Sequence, residues 1–431
     1  MKILIAGASG FIGSHLATKL ASQGHDIIGA ARNPEAARKR IAHINWMACD
    51  FRRDMKDDWI ARLEDVDAVI NCVGILQDGL GDNSRAAHVD GASALFEAAA
   101  EAGIKRFIHI SAAGADAQAG TAYAQDKQAG EEALKALDID WVILRPSLVV
   151  ARNVYGGTAI MRGLAGLPWI TPVVGADQTF RPISMDDLCK AVRDCLEPEA
   201  PVRVSFDVGG PECLTLAQTL TTYRTWLGFG KTRIFNVPTW LARPAFWLGD
   251  VLGWLGVRTS MRTTSLKQLE YDAAGDPSEW LKATRATPQK LSQFLESDPA
   301  GVQDRWHARL VFARPLARWI LGLYWLMTGV LALTFAKDHA YSVLVEAGYD
   351  AATRPALLWF GSLFDIALGV AMLLKWRVRF VSAIMILGTF GYIATLTLTL
   401  PHLWADALGP ITKVFPMMAL ALMIAATEDE R

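Results

Sequence analysis

The sequence is poor in the features that most directly announce a chemistry. It has five cysteines, at 49, 72, 189, 195 and 213, an odd number with no Cys-x-x-Cys pair. That pattern argues against a disulfide framework and fits reduced thiols in a cytosolic compartment. Its eight histidines are not spaced as metal ligands, so no metal site is expected. A formal net charge of -1 supplies neither the basic field that nucleic acid requires nor an acidic tail; no nucleic-acid partner is expected. The start, Met1–Ala6, has about five apolar residues before the first glycine, against the roughly 7 to 15 of a secretory signal. It reads as a strand.

At 431 residues the chain exceeds the roughly 250 to 300 that one core supports. Its hydrophobic fraction, 52%, rises sharply after about position 314, so two unlike parts are expected. Residues 1–300 read as the first part, 301–318 as a basic linker and 319–431 as a strongly apolar second part. In the first part, apolar runs of strand length recur at Lys2 to Ala6, Asp26 to Ala31, Ile44 to Cys49, Ala68 to Cys72, Arg106 to Ser111 and Asp140 to Arg145. Helical patterns such as Phe11 to Gln23, Ser84 to Ala102 and Ala124 to Ala136 separate most of them. The alternation predicts an α/β fold with a doubly wound parallel sheet.

The turn after the first strand reads Gly7, Ala8, Ser9, Gly10, Phe11, Ile12, Gly13, a Gly-x-x-Gly-x-x-Gly spacing between strand and helix. Glycine permits a tight turn and a close approach of backbone N–H groups to a pyrophosphate, and the helix N-terminus adds the positive end of its dipole. An NAD site usually places Asp or Glu about 20 residues further on, to bond the ribose hydroxyls. Ala30, Ala31 and Arg32 stand there instead. A guanidinium pairs with a 2′-phosphate, so NADP(H) is preferred and NAD(H) stays open. Asp50, Val73 and Gly74 follow the third and fourth strands, at carboxyl ends where such sheets bind ligands.

Together with His109-Ile110-Ser111, Tyr123-Ala124-Gln125-Asp126-Lys127 and Leu144-Arg145-Pro146-Ser147, these residues resemble the short-chain dehydrogenase/reductase superfamily in its extended and atypical branches. The likeness covers about residues 1–300 and is nearest to the NADPH-holding accessory subunits of respiratory complex I and their bacterial relatives. It implies that Tyr123 is the acid/base. Lys127, one helical turn on, would lower the phenol pKa and hold the nicotinamide ribose, and Ser111 would polarise the substrate oxygen. Ala112 and Ala113 stand where a catalytic hydroxyl is most expected, and Thr121 is a substitute for Ser111. Arg181–Leu188 and Phe206–Pro211 resemble parts of the substrate lobe, with Asp187 as a helix cap. Between Val237 and Val257, Trp240, Phe246, Trp247 and Trp254 fit a core helix or one lying on a bilayer surface.

Trp319 to Ala336 is an uncharged run of 18 residues, Pro355 to Leu374 one of 20 with the single acid Asp365, and Phe380 to Leu400 one of 21 without charge. Each is long enough to cross a bilayer. A fourth candidate, Pro410 to Thr427, contains Lys413 and Pro416. Trp325 to Gly329 and Gly361 to Asp365 resemble the DoxX-like membrane family, which implies a compact four-helix unit. Lys375, Arg377 and Arg379 between the second and third spans, with the bases before the first, put the Rossmann domain and both termini in the cytoplasm. Asp365 should face the bundle interior or an aqueous cavity.

These readings predict a multi-pass protein of a bacterial inner membrane, an NADP(H)-dependent oxidoreductase for the carbonyl, alcohol or quinone-like group of a small molecule; the tethering points to an apolar one such as a lipid or quinone, although a fused anchor serves a soluble one equally well. Two alternatives remain: a non-catalytic NADP(H)-binding structural or sensor subunit of a membrane complex or homo-oligomer, and an NAD(P)-dependent epimerase or dehydratase.

Overall fold

Successive residues of a strand face opposite sides of its sheet, so a strand apolar at every position must be covered on both. After its first residue β1 (Lys2–Ala6) meets that condition: Ile3 and Ile5 lie in one core, Leu4 and Ala6 in another. With β2 (Asp26–Ala31), β3 (Asn45–Ala48), β4 (Ala68–Asn71), β5 (Arg106–Ile110), β6 (Trp141–Pro146) and β7 (Val204–Val208) it forms a seven-stranded sheet. The order is β7-β6-β5-β4-β1-β2-β3, with every pairing parallel. Strand order reverses at β1, between β2 and β4, the switch point at which open sheets bind ligands.

The structure, a computed structural model, describes residues 1–75, 83–115, 120–254, 262–268, 273–407 and 409–428. The chain divides into two compact units, Met1–Ala308 and Arg309–Arg431.

In the first unit α1 (Phe11–Ser22) buries Leu16, Ala17 and Leu20 against one face of the sheet. On the other face lie α2 (Gly91–Glu101), through Leu95 and Phe96, and the ring of Trp59. α3 (Ala122–Lys135) begins at Thr121, whose hydroxyl accepts from the Ala124 amide. β7, expected in the substrate lobe, is instead the edge strand beside β6, paired from Val204 with Val142 to Val208 with Pro146. Phe206 and Val208 bury their side chains in the same core as Ile3, which draws the strand into the sheet. The cap of the helix Met185–Asp194 is Ser184, whose Oγ accepts from the Asp187 amide. Asp187, expected as the cap, sits one turn in, where it accepts the Ser184 hydroxyl at 2.7 Å and the Gln289 amide at 3.0 Å. The first unit also holds the parallel strand pair Ile170–Val173 and Arg233–Asn236, which leads into α4 (Thr239–Trp254).

The basic stretch expected as a linker is helical from Val302, inside α5 (Val302–Leu333). α5, α6 (Thr353–Leu373) and α7 (Val378–Thr399) are long and apolar enough to cross a membrane. α8 (Val414–Thr427), the fourth expected span, is helical but has 14 residues, about 21 Å of rise against roughly 30 Å of hydrocarbon. Small residues let α5 and α6 touch backbone to backbone. A Cβ on Gly369 would lie 2.5 Å from the Leu326 amide nitrogen, and one on Gly329 would overlap the Ser362 carbonyl oxygen. Asp365 of α6 is half-buried and accepts the Tyr392 hydroxyl of α7 at 3.0 Å, so the one acid of that span is bonded across to the neighbouring helix.

Candidate functional site

The glycine turn is built as its spacing requires. Gly7 has φ +76°, a conformation that suits glycine, and its amide donates to the Ala30 carbonyl at 3.1 Å while the Gly10 amide closes the turn on Gly7 O at 2.9 Å. A Cβ on Gly13 would overlap the Gly7 oxygen, so α1 seats against the turn only with glycine there. Ser9 and Gly10 are exposed, Phe11 and Ile12 partly buried, and the first turn of α1 has no side-chain cap over its amides. This cradle fits a pyrophosphate on its N–H groups.

Arg32 is exposed at the end of β2, followed by Asn33, which caps the next helix by accepting from the Ala36 amide at 3.0 Å. Asp50, just past β3, accepts from Arg52 through Nε at 2.8 Å and Nη2 at 2.6 Å. Those bonds, with the charges of Arg52 and Arg32, bring its carboxyl down to about 2. After β4 the Asn71 side chain fixes the path of the chain. Its Oδ1 accepts from the Val73 amide at 3.0 Å, and its amide nitrogen meets His109 Nδ1 at 3.2 Å. Gly74 lies close to Lys127 and to a buried histidine: a Cβ there would be 3.5 Å from His88 Cε1 and 3.7 Å from Lys127 Nζ.

Lys127 is 3% exposed and donates to the Ile110 carbonyl at 3.0 Å. Burial pulls its ammonium down to about 8, opposed by the charge of Glu131 one turn along. Glu131 is itself wholly buried and ion-paired with Arg145. The expected lowering of the Tyr123 phenol is not found. Burial pushes it up to about 12, because withdrawal from water disfavours the phenolate. Ser111 is buried, its Oγ has no hydrogen-bond partner among the described residues, and its amide is tied to Leu144 O at 2.8 Å. It follows Ile110, the residue that anchors Lys127, so β5 sets both groups at its carboxyl end. Thr121, the substitute hydroxyl, serves as the cap of α3.

One residue of this cluster, His88, has no motif in the sequence to mark it. It lies in a π-helical turn, Ala86–Asp90, and its ring meets Tyr123 edge to face at 5.5 Å. Its Nε2 contacts the Ile75 carbonyl at 2.9 Å, and its Nδ1 is buried with no partner among the described residues. Burial and then the charge of Lys127 push its pKa down to about 3, so the ring is neutral. Gly130 makes the approach possible, since a Cβ on that face of α3 would overlap the His88 carbonyl oxygen. The sequence signal was a polar ring within an otherwise apolar helical pattern; the π turn that aims it is a tertiary feature.

Residues 7–163 match the NAD(P)H-binding family, and residues 322–422 match the DoxX-like family. The chain therefore carries an NAD(P)-binding Rossmann domain and a DoxX-like membrane domain. Over 297 residues it is 23% identical to the mitochondrial NADH-ubiquinone oxidoreductase 40 kDa subunit of Neurospora crassa, covering 67% of this chain and 76% of that one. It is 28% identical over 198 residues to a ceramide reductase of Caulobacter vibrioides, covering 46% of this chain and 61% of the relative. Among solved structures, UDP-glucuronic acid 4-epimerase of Bacillus cereus with NAD superposes with a TM-score of 0.52 at 19% identity, covering 72% of this chain and 100% of that one. At that identity the likeness is one of fold.

Proposed function

For a chain that joins an NAD(P)-binding Rossmann domain to a DoxX-like membrane domain, we propose the role of a membrane-anchored NADP(H)-dependent oxidoreductase of the short-chain dehydrogenase/reductase type. Its substrate is the carbonyl, alcohol or quinone-like group of an apolar small molecule. The observation that carries the reading is that Lys127 is anchored on the Ile110 carbonyl at the carboxyl end of β5, next to the buried Ser111, whose hydroxyl has no hydrogen-bond partner among the described residues, and close to Gly74 and to His88, whose ring meets Tyr123. A phenol near 12 is an acid at neutral pH and can hand its proton to a carbonyl oxygen that Ser111 Oγ polarises. The cofactor supplies or accepts the hydride. When bound, its pyrophosphate would be held by the Ser9–Gly13 amides, its 2′-phosphate by Arg32, its adenine by Asp50, its ribose and ring by Val73 and Gly74, and its nicotinamide ribose by Lys127.

The ceramide reductase relative supports a lipid substrate, and the membrane domain supports an apolar one. A second reading, an NADP(H)-binding subunit that does not turn over, draws on Ala112 and Ala113 and on the 40 kDa subunit relative. The bases Lys375, Arg377 and Arg379 favour a cytoplasmic Rossmann domain in a bacterial inner membrane. Both termini on that side require α8 to cross as well, with local thinning of the bilayer.

Purification in mild detergent with identification of the bound nucleotide, followed by NADPH oxidation with keto-lipids and short-chain quinones, separates the readings. The oxidoreductase oxidises NADPH steadily, and Tyr123→Phe lowers kcat about 10²- to 10⁴-fold with NADPH affinity unchanged. Full turnover in Tyr123→Phe would overturn the assignment. NADPH that co-purifies and is consumed with none of these acceptors would favour the subunit.

A further inference from the structure

A helix on the surface of a water-soluble unit normally turns its large apolar side chains inward and its small or polar ones outward. α4 does the reverse. Among its described side chains the buried positions are the small residues Ala242, Gly249 and Gly253, at i, i+7 and i+11. Its exposed stripe is Trp240, Pro244, Trp247, Leu248 and Val251, with Trp240 71%, Trp247 66% and Leu248 53% exposed. The positions i, i+4, i+7, i+8 and i+11 lie along one helix face. The strand pair that leads into α4 repeats the inversion. Ile170, Pro172 and Phe235 are exposed in register beside Arg233, while Thr171 and Val173 point inward and are buried.

Two further observations name what covers this surface. From 231 to 249 the chain carries three bases, Lys231, Arg233 and Arg243, all exposed, and no Asp or Glu. An apolar face with a tryptophan belt and a basic fringe matches a leaflet boundary with anionic headgroups. The same chain has helices long and apolar enough to cross a membrane, so a bilayer is always within tethering distance of this face. Exposed apolar surface of this kind on a soluble unit is a docking site rather than an accident of composition.

We propose that α4 and the strand pair before it are a membrane-docking surface, with α4 lying in the plane of the cytoplasmic leaflet and its stripe of Trp240, Trp247 and Leu248 sunk into the acyl boundary. The first unit is thereby held at the bilayer by its own surface as well as by the spans. An apolar substrate can then reach the substrate lobe from the leaflet without crossing water. The docking rests on the membrane domain and not on catalysis, so it stands if the oxidoreductase assignment fails.

The test uses the full chain in vesicles of phosphatidylcholine and phosphatidylglycerol, in a Cys213→Ser background, with a single nitroxide introduced through Leu241→Cys, Leu248→Cys or, as a control on an exposed residue elsewhere in the unit, Met55→Cys. Retained NADPH binding reports on the fold of each variant. Labels at 241 and 248 should collide with oxygen more than with a water-soluble nickel chelate, at a depth of about 5–10 Å, whereas the label at 55 should show the opposite. Adding Trp240→Glu and Trp247→Glu should return the label at 248 to the aqueous pattern. Labels at 241 and 248 that match the one at 55 would overturn the proposal. So would labels shielded from both reagents, which would mean that protein covers the face.

Discussion

The two units solve opposite packing problems with the same residue types. In the first, the largest apolar side chains are inside: Trp59 is 0% exposed, and Phe96 and Phe107 stack edge to face at 5.2 Å beneath the sheet. In the second, Phe360 is 74% exposed, while Gly322, Gly329, Ser362 and Gly369 hold the contact between α5 and α6. Water drives large apolar groups together, whereas hydrocarbon is as comfortable for them as another helix, so small residues that allow close backbone approach decide the contact. α4 follows the second rule although it sits in the first unit, and that mismatch makes it the informative element.

The comparison can be broken most sharply by paired truncations. Trp59→Ala should destabilise the first unit by about 3–5 kcal/mol, read as loss of NADPH-protected thermal stability, while Phe360→Ala in detergent should stay within about 0.5 kcal/mol. Equal costs would mean that the exposed ring of α6 is packed in the folded protein. Next in size, Gly369→Val should cost the second unit about 1–3 kcal/mol by forcing a side chain into the Leu326 backbone, with NADPH affinity unchanged. Loss of nucleotide binding in that variant would show that the two units do not fold independently.

The smallest effect is electrostatic. Lys127 has its pKa lowered from 10.5 to about 8, so its buried ammonium costs stability below about 8, and that cost is relieved as pH rises toward 10.5. Its charge is available to the cofactor only on the acid side. In the free enzyme kcat/KM should therefore fall above pH 8 by about tenfold per pH unit, and Lys127→Arg should move that limb out of range. No limb should arise near 6.5 from His88, which burial keeps neutral down to about pH 3. An alkaline limb that persists in Lys127→Arg would assign it to another group.

Much of the first unit was legible because its signals are local. Six apolar runs became β1 to β6 within a residue or so at each end, and the glycine spacing fell between β1 and α1. β7 was placed in the wrong layer because Ser205 and Asp207 interrupt its pattern, and an edge strand is identified by its neighbour rather than by itself. His88 was missed, and the Tyr123 phenol, expected to be lowered, is raised, because depth below the surface, which sets both, is not written in any spacing.

By itself the sequence determined the nucleotide cradle, the alternation that builds the sheet and the apolar length of three spans, since each depends on residue type at short range. Tertiary structure decided which way each stripe faces. The period that sets Trp240, Trp247 and Leu248 on one side of a helix is the same for a core helix and for one on a bilayer, and only the burial of Ala242, Gly249 and Gly253 in the folded chain turns the tryptophans outward.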